Sequence, residues 1–297
     1  MNTERPNPVA ADLDLMNTLD LVRLMNSQDA GVAGAVARVL PQVAQAVDLI
    51  VARLSAGGRL IYVGAGTSGR LAVLDAAECP PTFGVPGTLV QAIMAGGEAA
   101  VSHAVESRED DREAGAWAIR ERAVGPGDVV VGITASGNTP FTRAALDASR
   151  LTGACTILVS CSPVEERAAD LVVVVEVGPE VISGSTRLKA GTAQKMILNM
   201  LSTAAMVRLG RVYSNLMLEV KPTNAKLSRR LRSLVALAAG VSESEAEAGL
   251  RRARDDGKLA VLLLKTGLDP AVAAQLLEQC SRNLREALRK AGTGIDG

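Results

Sequence analysis

The sequence predicts an α/β protein built on a doubly wound, five-stranded parallel sheet in three layers, with a small helical domain at the C-terminus. Five short β-rich runs, at 60–63, 89–94, 129–134, 156–160 and 171–177, are apolar almost throughout. Continuous rather than alternating hydrophobicity marks strands buried on both faces by covering helices. Helix-period patterns fall between these runs, and the β signal ends at about Arg232.

Taken in chain order, the opening "MNTERPNPVAADLDLM" has no apolar h-region and does not read as a secretory signal. Helical patterns follow at 19–25 and 32–56, the second stopped by Gly57-Gly58, a pair suited to a left-handed C-terminal cap. After the first strand the spacing predicts helices over 68–77, 98–123 and 140–151, a short one over 164–169 and a long one over 186–209. Beyond the sheet, three amphipathic helices are read in "SLVALAAG", "SESEAEAGLRRARDDG" and "DPAVAAQLLEQCSRNLREALRKAG". Ser242 with Glu245 forms a capping box, and Asp269-Pro270 sets an acceptor at N-cap and proline at N1. The expected organisation is N-terminal helices over 1–57 packed on a sheet domain over 58–232, followed by a helical domain over 233–297.

The 297 residues carry 32 basic and 32 acidic side chains, so no basic field steers the chain to nucleic acid or to an anionic membrane. No apolar run approaches the ~20 residues that span a bilayer. A cytoplasmic chain is the expectation. The five aromatics, Tyr62, Phe83, Trp117, Phe141 and Tyr213, are too few for a base-stacking platform. With His103 the only histidine and no C-x-x-C among Cys79, Cys155, Cys161 and Cys280, the usual zinc patterns are absent. Recognition falls to hydrogen bonds and local charge.

The first strand runs into Gly64-Ala65-Gly66-Thr67-Ser68-Gly69, which fits G-x-G-x-x-G and opens a helix, the context for an anion at a helix N-terminus. A dinucleotide fold would also end its second strand on an acid for the ribose. Here that strand ends "QAIMAGGE", with no acid at its tip. Thr67 and Ser68 instead add hydroxyls to the amides around Gly66, which suits a compact phosphate monoester. The third strand repeats the device with Thr134, Ser136, Gly137, Asn138 and Thr139, and "ISGSTRLKAGTAQK" adds Ser183, Ser185 and Thr186 before another helix. Hydroxyl-rich loops at the C-terminal ends of neighbouring strands converge on one anion, and Lys189 is a candidate to neutralise it.

The stretches "GAGTSGRLAVLDAAECPPTFG", "AGGEAAVSHAVESREDD", "GITASGNTP" and "SGSTRLKAGTAQKMILNMLST" together resemble a sugar isomerase (SIS) domain and, more narrowly, the bacterial N-acetylmuramic acid 6-phosphate etherases. The resemblance spans most of the chain. It implies the SIS fold, a homodimer with sites near the subunit interface, and no metal or organic cofactor. It also implies release of D-lactate from the C3 ether of a small-molecule sugar phosphate, giving N-acetylglucosamine 6-phosphate in cell-wall recycling.

An ether leaves poorly, but in the ring-opened sugar C3 lies β to the aldehyde, so loss of the C2 proton allows elimination. That route needs a base at C2, an acid at the ether oxygen and a base for water adding back. The resemblance assigns these roles to Glu78, as proton donor and then base for water, and to Glu109, at C2. A helix running from Ser68 to about Glu78 separates the two by ~15 Å. The C6 phosphate and the C3 ether oxygen are only roughly 6 Å apart, by summing bonds of a folded sugar. The expectation is that Glu78 comes from the partner subunit. The rival readings are an aldose–ketose isomerase, which also begins at C2, and a non-catalytic sugar-phosphate sensor.

Overall fold

The computed structural model describes residues 2–292 except 104 and 223. The chain divides into two compact units, Met1–Ala77 with Gly87–Ala205, and Glu78–Pro86 with Met206–Gly297. Residues 206–232, expected with the sheet, thus count with the helical unit, and the last five residues of the expected C-terminal domain lie outside the described ones.

In the first unit α1 (Thr18–Ala37) and α2 (Leu40–Ser55) precede β1 (Leu60–Gly64), α3 (Gly66–Phe83), β2 (Val90–Met94), α4 (Ala99–Ser102) and α5 (Arg112–Glu121). Next come β3 (Val129–Thr134), α6 (Pro140–Leu151), β4 (Cys155–Ser160), β5 (Leu171–Val174) and α7 (Lys189–Arg208). All pairings are parallel, in the order β2-β1-β3-β4-β5. Leu60 stands opposite both Val90 and Val129, so the ends of these strands lie level. Successive strand side chains alternate between faces, and both sets are buried. Ile61, Val63, Val130 and Leu158 pack with Phe141, Ala145 and Leu146 of α6, while Leu60, Tyr62, Val129, Val131, Ile157 and Val159 are fully enclosed on the other side. The α/β parallel sheet read from the apolar runs is the sheet observed.

Several boundaries differ. The expected helix over 32–56 is interrupted at Arg38–Val39, because Pro41 opens α2 and its ring disfavours a continuous helix through the preceding turn. The expected helix over 98–123 is broken into α4, a short 3-10 turn and α5, with Asp111 capping α5 through Ala114 N–H at 2.9 Å. Helix α3 does not stop before Pro80-Pro81 but carries them to Phe83. Proline's φ is helical, but each ring removes a donor and crowds the carbonyl four residues before it, and the helix ends two residues past Pro81. Gly84, at φ +65°, ends the helix with its N–H on Pro80 O at 3.0 Å.

The second unit holds α8 (Ala225–Ala239), α9 (Glu243–Arg252), α10 (Gly257–Thr266), α11 (Pro270–Gln279) and α12 (Leu284–Lys290), five helices where three were expected. Two of the differences have a plain cause. Helix α10 is apolar around most of its circumference, with Ala260, Val261, Leu262 and Leu263 all in the core, so it shows no one-sided period. The third expected helix is split into α11 and α12 by Ser281 and Arg282, both at positive φ. The Ser242–Glu245 capping box forms as read. Lys258 is fully buried, its ammonium donating to Gly210 O (3.0 Å), Arg282 O (2.8 Å) and Glu219 Oε1 (2.8 Å), which satisfies all three of its donors. Among the described residues no single helix is long and apolar enough to cross a membrane.

Candidate active site

The turn from β1 into α3 is set by its glycines. Gly66 takes φ +54°, and a β-carbon on Gly64 would lie 2.8 Å from Gly69 N, so strand and helix approach as only glycine allows. The first N–H groups of a helix have no partner within it, and at Gly66–Ser68 they end at the C-terminal edge of the sheet. Ser68 is buried and its hydroxyl donates to Gln194 Oε1 of α7 at 2.9 Å. A hydroxyl has one hydrogen, so engaging a phosphate oxygen means turning that hydrogen from Gln194 to the ligand.

Between β3 and α6 the hydroxyls are shared among themselves. Thr134 Oγ1 lies 3.2 Å from Ser136 Oγ and 2.7 Å from Thr139 Oγ1, and Gly137 N–H and Asn138 N–H donate to Thr134 and Ser136. This pattern holds the loop in an open turn over the sheet edge. The turn before α7 is held differently. Buried Glu180 accepts the N–H groups of Lys189 (3.0 Å) and Ala190 (2.9 Å), so a carboxylate of the chain itself occupies that helix N-terminus.

A cavity of about 610 Å³ opens among these loops, within the size range of small-molecule sites. Gly66, Thr67 and Ser68 line one side, Ser136, Asn138 and Thr139 another, and Thr186 with Gly184 a third. Glu109 lines it as well, beside Asp110. The backbone places Glu109 there, since its carbonyl accepts the Phe141 N–H at 2.9 Å and ties the acidic segment to the first turn of α6. The acidic run is therefore divided in role, with Asp111 capping α5 while Glu109 and Asp110 face the cavity.

Four expected residues do not line this cavity. Ser183 is exposed, its Oγ 3.5 Å from Arg5 O, and Ser185 lies beside it in the same turn. Lys189 is buried and its ammonium donates to Gln28 Oε1 at 3.2 Å. Glu78 is exposed on α3 and belongs to the second compact unit.

Residues that sequence reading passed over include Gln194, Thr3 and Glu4. Gln194 sits on the buried side of α7 with Ala190, Ala193, Ile197 and Leu201, a polar residue at helical spacing in an apolar set, and that pattern was visible. Its Nε2 approaches Cys161 Sγ at 3.9 Å. Burial, with the nearby Glu180 charge, pushes the Cys161 thiol up to about 12, so it stays a neutral thiol. Thr3 and Glu4 reach the cavity from the far N-terminus, and nothing in the sequence pattern announces it.

Residues 42–150 match the family model described as the glucokinase regulatory protein N-terminal SIS domain. The N-acetylmuramic acid 6-phosphate etherase of Edwardsiella ictaluri is 49% identical over 290 residues, 97% of this chain and 97% of its own. That of Rubrobacter xylanophilus is 52% identical over 278 residues, 93% of this chain and 92% of its own. Among solved structures, a phosphoheptose isomerase from Francisella tularensis has a TM-score of 0.52 and 18% identity over 65% of this chain and 100% of its own, a likeness of fold.

Proposed function

The chain belongs to the N-acetylmuramic acid 6-phosphate etherase family, and from that premise we propose how its cavity performs the reaction. The protein is a carbon–oxygen lyase that cleaves the C3 lactyl ether of N-acetylmuramic acid 6-phosphate, giving N-acetylglucosamine 6-phosphate and D-lactate. The observation that carries the assignment of the site is that both hydroxyl-rich loops and Glu109 line one cavity.

In this reading the C6 phosphate takes the α3 N-terminal amides with the hydroxyls of Thr67, Ser68, Ser136 and Thr139 and the amide of Asn138, while Thr186 closes the third side. Glu109 removes the C2 proton of the open-chain sugar. The electron pair moves toward the C1 aldehyde, then expels the C3 oxygen as Glu78 protonates it, and lactate leaves. Glu78, now a carboxylate, takes a proton from water as the oxygen adds to C3, and Glu109 returns a proton to C2. Atoms and charge balance, and no cofactor enters.

Glu78 and Ser68 lie ten residues apart on one helix, a rise of ~15 Å, which supports a homodimer in which each site draws Glu78 from the partner. The cytoplasm, where sugar phosphates are made and retained, is the compartment this substrate implies. Ser183, Ser185 and Lys189, expected at the phosphate, have no part in this reading, since none of them lines the cavity.

Incubating the protein with N-acetylmuramic acid 6-phosphate releases D-lactate, measured by a coupled dehydrogenase; sugar turnover without lactate would instead establish the isomerase reading, and binding without turnover the sensor. Mixing Ser68→Ala subunits with Glu78→Gln subunits, assayed at substrate well below the Ser68→Ala KM, gives more activity than the sum of the two homodimers if the sites are shared, and only that sum if each chain is self-sufficient.

A further inference from the structure

Two residues near the N-terminus, Thr3 and Glu4, reach the cavity. Thr3 is 1% exposed, and its Oγ1 is a buried hydroxyl with no hydrogen-bond partner among the described residues. Buried polar groups are nearly always paired, and leaving one unpaired is unfavourable. The segment is also held in place. Gly184 N–H donates to Thr3 O at 3.1 Å, and Asn7 Nδ2 donates to Pro179 O at 3.3 Å and Gln28 Oε1 at 3.1 Å. Gly184 has φ +76°, and a β-carbon there would stand 2.8 Å from Glu4 Oε2, so the facing loop is shaped to let the Glu4 carboxylate pass.

We propose that this N-terminal segment forms a wall of the substrate site, with Thr3 Oγ1 and the Glu4 carboxylate as binding residues for the sugar rather than for its phosphate. The proposal rests on reading the cavity as the sugar-phosphate site. A carboxylate has acceptors only and repels a phosphate dianion, so Glu4 takes a hydrogen-bond donor, a sugar hydroxyl or the acetamido N–H. Thr3 both donates and accepts, and the ligand supplies the partner its hydroxyl lacks. The segment thereby distinguishes an amino-sugar phosphate from a bare phosphate ester, a discrimination the hydroxyl loops do not make.

Thr3→Val keeps the side-chain shape and removes the hydroxyl, and Glu4→Gln keeps the shape and removes the charge. Each is compared with the wild type for lactate release, for direct titration with N-acetylglucosamine 6-phosphate and with inorganic phosphate, and for Tm. Each substitution raises KM and the sugar-phosphate Kd about tenfold, the effect of one lost hydrogen bond, with kcat within about twofold of the wild type, the inorganic phosphate Kd no more than about twofold weaker, and Tm no lower. Unchanged sugar-phosphate affinity in both variants would overturn the proposal, as would an equal loss for sugar phosphate and inorganic phosphate. If the wild type itself binds neither ligand, the reading of the cavity fails, and that result is separate from a wild type that binds both while the variants match it.

Discussion

The two ends of the parallel sheet are finished in opposite ways. At the N-terminal end Asp128, 5% exposed, accepts from Arg59 N–H (2.9 Å), Arg59 Nε (3.1 Å), Arg59 Nη2 (2.7 Å) and Gly125 N–H (3.0 Å). Asp170 likewise takes both the N–H and the hydroxyl of Thr156 at 2.8 Å. Both oxygens of Asp128 are filled by the chain, and Asp170 commits Oδ2 to Thr156. At the C-terminal end the hydroxyls of Thr134, Ser136 and Thr139 share protons among themselves, Ser68 holds Gln194, and Thr3 Oγ1 has no partner among the described residues. One end is saturated and the other is left with capacity for a ligand. That division follows from topology, since in a parallel sheet the loops after the strands gather at the carboxyl edge.

The sharpest way to break this comparison is to exchange the consequences of damage at each end. Glu109→Gln, at the open end, lowers kcat by ~10²–10⁴, the usual scale for a general base, while urea unfolding stays within about 0.5 kcal/mol of the wild type. Asp128→Ala, at the closed end, removes the acceptor of a paired guanidinium and lowers stability by about 3 kcal/mol, with KM unchanged. A large loss of stability in the first, or of substrate affinity in the second, would show that the two ends are not independent.

A finer comparison separates the donors of the open end from their supports. Ser68→Ala removes a hydrogen bond to a dianion, worth roughly 1.5–3 kcal/mol, and raises KM by at least tenfold while kcat holds. Gln194→Leu leaves the Ser68 hydroxyl and frees the one hydrogen that Gln194 otherwise takes, so KM stays within about threefold of the wild type. A Gln194 variant worse than Ser68→Ala would place Gln194 on the substrate itself.

What the sequence disclosed follows the same division. The strands were readable because burial on both faces makes them apolar throughout, and 129–134 was found to the residue. The loop hydroxyls were readable because a glycine turn after such a strand has few reasons to be rich in serine and threonine. The acidic run was legible as a site only through its family resemblance, since Asp111 in it is an ordinary cap. Thr3 and Glu4 were not legible, because their place in the cavity depends on Gly184 and Pro179 bringing the N-terminus to a loop more than 170 residues away. Helix α10 was missed for want of polarity, as its buried run from Ala260 to Leu263 carries no periodic signal.

The smallest effect is a pH slope, and it tests whether closure of the polar groups or burial alone distinguishes the two carboxylates of the sheet unit. For Asp128, burial by itself would raise the pKa, but the Arg59 guanidinium and the two backbone N–H groups hold it below the usual carboxylate value. Its stabilisation is therefore complete above the unfolded value of about 3.9 and is lost as pH falls through the lower folded value. Asp75, on the buried side of α3, accepts from Tyr62 Oη (3.0 Å) and Ser202 Oγ (3.1 Å), yet burial outweighs these donors and the nearby Lys195 charge and raises its pKa. Its sign is opposite: stability falls as pH rises from about 3.9 to the folded value, because the unfolded chain ionises first. Urea unfolding across pH 3–7 of Asp128→Asn shows a shallower acid loss than the wild type, whereas Asp75→Asn gains on the wild type as pH rises. If the two variants shift the slope in the same direction, a directly hydrogen-bonded guanidinium is not what separates a closed carboxylate from a merely buried one.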